Sequence, residues 1–337
     1  MRCLILIVGC LLFLGLRPAP PLRAYHISGF AQGTTYHITY YAADSMIKQD
    51  EIDRVLTHID SSLSIYQPYS LISRFNQSEG GIVIDTLLRS VVSKSIEVYQ
   101  KTSGAFDITV LPLVNAWGVG IKKLNSQPDS ATIKAILPCV GTSLIALSDS
   151  RLIKKKPCVR IDVNGIAQGY SVDVLSSYLD GRKVSNYLVE IGGELRVKGN
   201  NPLTGKSMRI GIEAPQQSEF TDGSFQRIMH LSRGAVTTSG SYRKFYQSGG
   251  KTISHLINPK TGYTADNDLI SVTVYAQNAI TADAYDNALM LMGLTKAKAF
   301  AEASHEIEAF FIYRKPDGTV ADTATTGFYR LLEQPKT

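Results

Sequence analysis

Near its end the chain reads TADAYDNALMLMG (Thr281 to Gly293), and three of these residues, Asp283, Asp286 and Asn287, carry side-chain oxygens that can serve a cation. The surrounding apolar and small residues predict a helix from Thr281 to Met292, on which positions three and four apart share one face. Two readings are open at this point. Asp283 can be a cap or first-turn acid drawn to the positive end of the helix dipole. Alternatively, two carboxylates and an amide oxygen form the kind of hard oxygen set that Mg²⁺ takes when it also binds substrate phosphates.

Two further segments have side chains suited to chemistry. In RIDVNGIAQGYSVD (Arg160 to Asp173) a strand-like approach meets Asn164 and Gly165 and then a helix. Glycine there lets a ligand come close to the backbone, and a helix N-terminus can receive a phosphate; an ordinary strand-turn-helix junction has the same pattern. Asp162 ends the approach, where a carboxylate can bond a nucleobase or ribose or simply cap the turn. In SHLINPKTG (Ser254 to Gly262) His255 stands just before a Pro- and Gly-containing turn, a position for a catalytic proton carrier or for a structural histidine. AVTTSGSYRKF (Ala235 to Phe245) offers hydroxyls, Arg243 and Lys244, to phosphates or as a polar surface loop. Asp107, inside the apolar GAFDITVLPLVNAWG, needs a partner if it is buried. EIGGEL is a hairpin turn or a flat surface for a ring.

The elements that must position these residues alternate between helical and strand patterns. TTYHITYYA (34 to 42) predicts a strand, and Ile52, Val55, Leu56 and Ile59 a helix. A second helix carries Leu87, Val91, Val92, Ile96 and Tyr99 on one face and stops before Gly104, and a third runs from about Ile166 to Tyr178. NYLVEIGGELRVKG reads as two strands about a Gly pair, and MRIGIEA, LISVTVYA and EAFFIYR as one strand each, with a short helix in TKAKAFAEA. No regular βαβ rhythm, dinucleotide fingerprint or phosphate loop is present, which points to an α+β architecture with mixed, largely antiparallel sheets and packed helices.

The 337 residues are 44% hydrophobic and 19% charged, a globular composition, with no internal repeat. Arg2, the apolar run Cys3 to Leu16, Arg17 and a Pro-rich stretch to Ala24 predict a cleaved secretory signal over residues 1–24, followed by a single domain over 25–337. The run is shorter than the roughly 20 residues that span a bilayer. IVGC (Ile7 to Cys10) faintly resembles a lipoprotein cleavage box, but the apolar run continues past it. Loss of Arg2, Arg17 and Arg23 would leave 32 basic side chains against 29 acidic ones, which gives no footing for nucleic-acid binding. Lys154 to Lys156 read as a solvated hairpin tip. Cys139 and Cys158 flank two predicted strands joined by a turn, so in an oxidising compartment they can bridge; no Cys-based metal motif exists.

Taken together and in order, GTTYHITY, SIYQPYSLISRFN, GAFDITVLPLVNAWG, IDVNGIAQGYSVD, EIGGELRVKG, TTSGSYRKF, SHLINPKTGY and TADAYDNALMLMG resemble the ApbE family of flavin transferases, over residues 33 to 293. The resemblance implies an ApbE-like (T-fold-like) architecture and an FAD:protein FMN transferase. Such an enzyme uses Mg²⁺ to cleave FAD at its pyrophosphate, passes FMN through a phosphoester bond to a threonine of a target protein, and releases AMP. It implies partners among membrane redox pump subunits and related flavoproteins, and a periplasmic location or attachment to the outer face of the inner membrane. By the same resemblance Gly165, Asp283, Asp286 and Asn287 match metal ligands. Gln32, Tyr66, Ala105, Phe106, Asp107, Asp162, Gln168 and Ile257 match segments lining the FAD site, and His255 matches the histidine associated with transfer. The chain departs from the family where Asn287 replaces a frequent Thr, Gln168 a Lys or Glu, and Asn258 an Asp. The alternatives are an FAD pyrophosphatase that makes FMN and AMP, and an exported flavin-binding protein without turnover.

Overall fold

The computed structural model describes residues 20–120, 127–213, 225–240, 245–248, 251–254 and 256–333. Two long strands, β1 (Arg23–Ala31) and β2 (Thr34–Ala42), are followed by α1 (Gln49–Leu63), α2 (Leu71–Gln77), β3 (Gly81–Val83) and α3 (Thr86–Lys101). A 3-10 turn (Ile108–Val110) leads into α4 (Leu111–Ala116), α5 (Ser130–Ile136), the hairpin β4 (Ile145–Ser148) and β5 (Arg151–Lys154), and α6 (Ala167–Gly181). Next come β6 (Tyr187–Ile191), β7 (Glu194–Lys198), β8 (Met208–Glu213), β9 (Phe225–Leu231) and β10 (Arg233–Gly240). Strands β11 (Phe245–Ser248), β12 (Lys251–Ser254) and β13 (Leu269–Ala276) precede α7 (Ala279–Met292) and α8 (Leu294–Ala303). The described chain closes with β14 (Ile307–Arg314), β15 (Val320–Ala324) and α9 (Thr326–Tyr329).

Eight strands form one sheet in the order β1-β2-β6-β7-β10-β13-β14-β15, and every neighbouring pair is antiparallel. The architecture is α+β, as the lack of a βαβ rhythm predicts. Side chains alternate between its faces. Val189, Ile191, Ala235, Val272, Val274, Ala309 and Phe311 pack on the side of α6 and α7. Leu195, Val197, Val236, Phe310 and Ile312 pack on the opposite side, against Met208, Ile210 and Ile212 of the β8–β9 ribbon and Phe328 of α9. Both faces are therefore covered, and a polar residue in these strands is not automatically in water.

The predicted elements are found, with shifts that have local causes. Helix α7 starts at Ala279, two residues before the expected Thr281, because Asn278 caps it by accepting from the Thr281 N–H. Asp283 is therefore a turn inside the helix, beyond the reach of a capping role. Segment AVTTSG, read as hydroxyls in a loop, is central strand β10. The EIGGEL segment is the β6–β7 hairpin, with Gly192 at φ 60° and Gly193 at φ 107°, conformations that favour glycine. Strand β1 begins at Arg23, just ahead of the boundary expected after Ala24.

Lysine 154 is not at a solvated tip. The β4–β5 turn lies at Asp149 and Ser150, and Lys154 at the end of β5 is only 6% exposed. Its Nζ donates to the carbonyls of Asn76 (3.3 Å) and Ser78 (2.8 Å) at the C-terminal end of α2 and lies 4.8 Å from the Phe75 ring centroid. Burial, and then the nearby Arg160 charge, lowers its pKa to about 8. Cys139 and Cys158 are bridged, with Cα atoms 5.6 Å apart across the β4–β5 hairpin that the sequence placed between them.

Candidate active site

A cavity of about 550 Å³ opens between the 3-10 turn, the Asp162–Gly165 turn, the Leu256–Pro259 segment and α7. Of the residues read from the sequence, Tyr66, Ala105, Phe106, Asp107, Asp162, Gly165, Ile257 and Asn287 lie on its wall. Phe106, Ile108, Val114, Ile257 and Leu291 make much of it apolar, while Asp162, Asn164 and Asn287 supply polar groups. Tyr66 is 62% exposed, with its hydroxyl 3.5 Å from Asn164 Nδ2; partial burial and then the Asp162 charge raise the pKa of the phenol.

The buried carboxylate of Asp107 is satisfied by its neighbours. Its Oδ1 accepts from the Thr109 N–H (2.8 Å), the Thr109 hydroxyl (2.6 Å) and the Thr142 hydroxyl (2.8 Å), and Oδ2 accepts from the Thr142 N–H (3.0 Å). It ties the cavity wall to the loop that also carries Cys139. Asp162 is held by its turn: its N–H donates to Ile108 O at 2.7 Å, and its Oδ1 accepts from the Asn164 N–H at 2.9 Å. The approach to it, strand-like in the sequence, is not a strand; Asn76 fastens it by donating to Ile161 O (2.8 Å) and accepting from the Ile161 N–H (2.7 Å).

At one side of the cavity the oxygens converge. Asn287 Nδ2 lies 3.4 Å from Gly165 O, 3.0 Å from Asp283 O and 2.8 Å from Asp286 Oδ1, and Asn287 Oδ1 accepts from Ser239 Oγ at 3.3 Å. An amide turned about its last torsion exchanges its nitrogen and oxygen. Asp283 is buried and its Oδ2 accepts from the Gly169 N–H at 2.8 Å, while Asp286 is only 1% exposed. Burial, then the charges of Asp283 and Glu194, raise the Asp286 pKa well above the carboxylate range. A bound cation would reverse this by favouring ionised oxygens. Among the described residues no group of three or more His, Cys, Asp or Glu side chains is placed to hold a metal. The donor set is two carboxylates, an amide and a backbone carbonyl, which suits an ion that completes its shell with water and substrate oxygens, as Mg²⁺ does.

Two glutamines lie off the described cavity wall. Gln32, at φ 53° in the β1–β2 turn, donates to Ser171 Oγ (2.9 Å), and Gln168 donates to Ile191 O (3.1 Å) beneath the Gly192 turn. His255, Arg243 and Lys244 fall outside the described residues. Sequence reasoning did not single out Glu194 and read the hydroxyls of Thr237 and Ser239 as phosphate contacts or a surface loop; strand alternation places all three on the α7 side of the sheet. The charge of Glu194 acts on Asp286, and the buried Thr237 shares its side of the sheet. Their only sequence signal is position: each alternates with Leu195, Val236 or another core residue, a pattern that ordinarily marks a wet face.

Comparison with known proteins gives a consistent assignment. Residues 32–311 match the sequence model of the ApbE family. The chain is 37% identical over 322 residues to the FAD:protein FMN transferase of Vibrio cholerae serotype O1, covering 94% of this chain and 92% of that protein. It is 34% identical over 324 residues to the FAD:protein FMN transferase of Haemophilus influenzae, covering 92% of each. The solved flavin transferase ApbE from Vibrio cholerae superposes with a TM-score of 0.84 at 36% identity, over 93% of this chain and all of that one. The apo flavinyl transferase ApbE of Pseudomonas stutzeri superposes with a TM-score of 0.83 at 32% identity, over 94% and 98% of the two chains. With the fold, the ordered motifs and the coverage in agreement, this chain belongs to the ApbE family.

Proposed function

We propose that this protein is an FAD:protein FMN transferase that moves FMN from FAD, with Mg²⁺, onto a threonine hydroxyl of an acceptor protein and releases AMP. The observation that carries the reading is the convergence of Gly165 O, Asp283 O and Asp286 Oδ1 on one point beside the cavity. The relatives named FAD:protein FMN transferase support the same class. In the reaction a bond forms between the threonine oxygen and the FMN phosphorus, the bond from that phosphorus to the bridging oxygen breaks, and AMP leaves with that oxygen.

The residues divide the work by chemistry. Phe106, Ile108, Ile257 and Leu291 offer a dry slot to a flat ring, and Asp162 and Asn164 offer polar groups to the flavin or ribose. Asp283, Asp286, Asn287 and the Gly165 carbonyl would hold Mg²⁺. The ion would neutralise pyrophosphate charge and keep attacking and leaving oxygens in line. His255 would accept the threonine proton, help typically worth ~10²–10⁴-fold. The Cys139–Cys158 bridge and the apolar leader favour an exported protein acting in an oxidising compartment.

The test incubates the purified protein with FAD, Mg²⁺ and a threonine-bearing acceptor peptide. The expected result is stoichiometric AMP and a peptide mass increased by FMN on threonine, both abolished by EDTA and by Asp283→Ala. AMP without acceptor labelling identifies an FAD pyrophosphatase instead, and intact FAD identifies a flavin-binding protein.

A further inference from the structure

A helix leaves four N–H groups without partners in its first turn, so their destinations show what holds its end in place. In α7 the three that follow the cap residue all have acceptors. Ala279 N–H donates to Asp173 Oδ1 (3.0 Å), Ile280 N–H to Asp173 Oδ2 (2.9 Å) and Thr281 N–H to Asn278 Oδ1 (3.1 Å), and Ala282 N–H then makes the helix's own first bond, to Asn278 O (3.3 Å). Asn278 is a local cap of the ordinary kind. Asp173 is not local: it comes from the middle of α6, is buried, and takes one N–H on each carboxylate oxygen.

That carboxylate has a third partner. Arg196 Nη1 of β7 lies 2.6 Å from Asp173 Oδ1. The alternation that sends Leu195 and Val197 into the far core puts Arg196 on the helix side of the sheet. A buried carboxylate is strongly unfavourable unless paired and hydrogen-bonded, and here both conditions are met. One turn earlier on the same face of α6, Gly169 N–H donates to Asp283 Oδ2 (2.8 Å). A Cβ at Gly169 would stand 2.4 Å from Ala279 O, so the two helices touch backbone to backbone.

We propose that Asp173, held by Arg196, is a positioning residue of the cation cage: its bidentate grip sets the height and roll of α7 at which Asp283, Asp286 and Asn287 face the Gly165 carbonyl. The inference rests on the reading of that cage under the proposed function. Two N–H bonds to two oxygens of one planar group fix rotation as well as distance, which a single cap does not. A small roll of α7 would move Asn287 off Gly165 O and Asp283 off the Gly169 N–H together.

The experiment titrates the intact protein with Mn²⁺ alone, reading the free ion by electron paramagnetic resonance, and separately measures FAD binding in EDTA by flavin fluorescence. Folding of each variant is checked by circular dichroism and melting. Asp173→Asn keeps the shape but sets an NH₂ against a helix N–H. It is expected to weaken Mn²⁺ binding about 10–100-fold, the usual cost of losing a group that orients a metal ligand, while FAD affinity changes less than about twofold. Arg196→Met is expected to follow it and Arg196→Lys to recover most of the loss. If Asp173→Asn does not fold, the two Arg196 variants decide. Wild-type Mn²⁺ affinity in Asp173→Asn and Arg196→Met, with Asp283→Ala unable to bind, overturns the positioning role and leaves the cage intact. Equal losses of Mn²⁺ and FAD binding with no recovery in Arg196→Lys make the pair a folding element only and also overturn it. Wild-type Mn²⁺ binding by Asp283→Ala removes the cage and the proposal with it.

Discussion

Replacing Gly169 by alanine tests how closely α6 and α7 must approach. The new methyl would sit 2.4 Å from Ala279 O and 2.7 Å from Asp283 Cβ, where ordinary contact begins near 3.4 Å. The obstructing atoms are backbone and Cβ rather than a flexible side-chain end, so the helices must part by about 0.7–1 Å. Overpacking of this kind costs ~1–3 kcal/mol. The Gly169 N–H bond to the Asp283 carboxylate, 2.8 Å long, is stretched or lost, a further ~1.5–3 kcal/mol for a bond to a charged group. Alanine's better helix propensity returns about 1 kcal/mol. The balance is a loss of about 1.5–5 kcal/mol, or roughly 3–10 °C in Tm at about 2 °C per kcal/mol for a chain of this size. Activity should suffer more than stability, because a 1 Å displacement of reacting groups costs on the order of 10²-fold. Calorimetry gives the Tm, and AMP release from FAD at 25 °C, where both proteins are folded, gives the rate. A Gly169→Ala protein that melts within about 1 °C of wild type and turns over within about twofold would refute the close-packing argument.

Other outcomes follow from the same contacts. The Cys139–Cys158 bridge closes a separation of 19 residues, worth about 3 kcal/mol by loop entropy; Cys139→Ser with Cys158→Ser should lower Tm by roughly 6 °C and abolish the effect of reductant on melting. Lys154 has its pKa lowered to about 8, below the unfolded value, so the folded state binds fewer protons between that pH and the ordinary lysine value of 10.5. Stability should therefore rise with pH across that window. Melting curves at pH 8 and pH 10 should show wild type gaining on Lys154→Met; a decline relative to the variant would contradict the burial of the amine.

Periodicity in the sequence suffices for individual elements. Ile52, Leu56 and Ile59 repeat as one face of α1, and all three are buried; Tyr36, Ile38 and Tyr40 alternate along β2 and are likewise buried. The oxygen-bearing trio of α7 is legible because its members are close in sequence, so helical geometry alone brings them to one face. Asp107 signals its own need for partners, being charged in an apolar run, but Thr142, which meets that need, lies 35 residues away.

What the amino-acid order could not disclose depends on both faces of the large sheet being covered. Glu194, Arg196, Thr237 and Ser239 have the alternation of a strand with one wet side, and only the packing of α6 and α7 over that side makes them part of the site. Lys154, on the small β3–β5–β4 sheet, reads as solvated for a different reason: its burial comes from α2, over seventy residues earlier. Local order determined which helices and strands form and which residues within them carry oxygens, because those depend on neighbours a few positions apart. The tertiary structure alone decided that Asp173 meets the start of α7 106 residues later, and that the Gly165 carbonyl meets Asn287 across 122, because no backbone periodicity reaches between segments that distant and only the joint burial of their apolar faces brings them together.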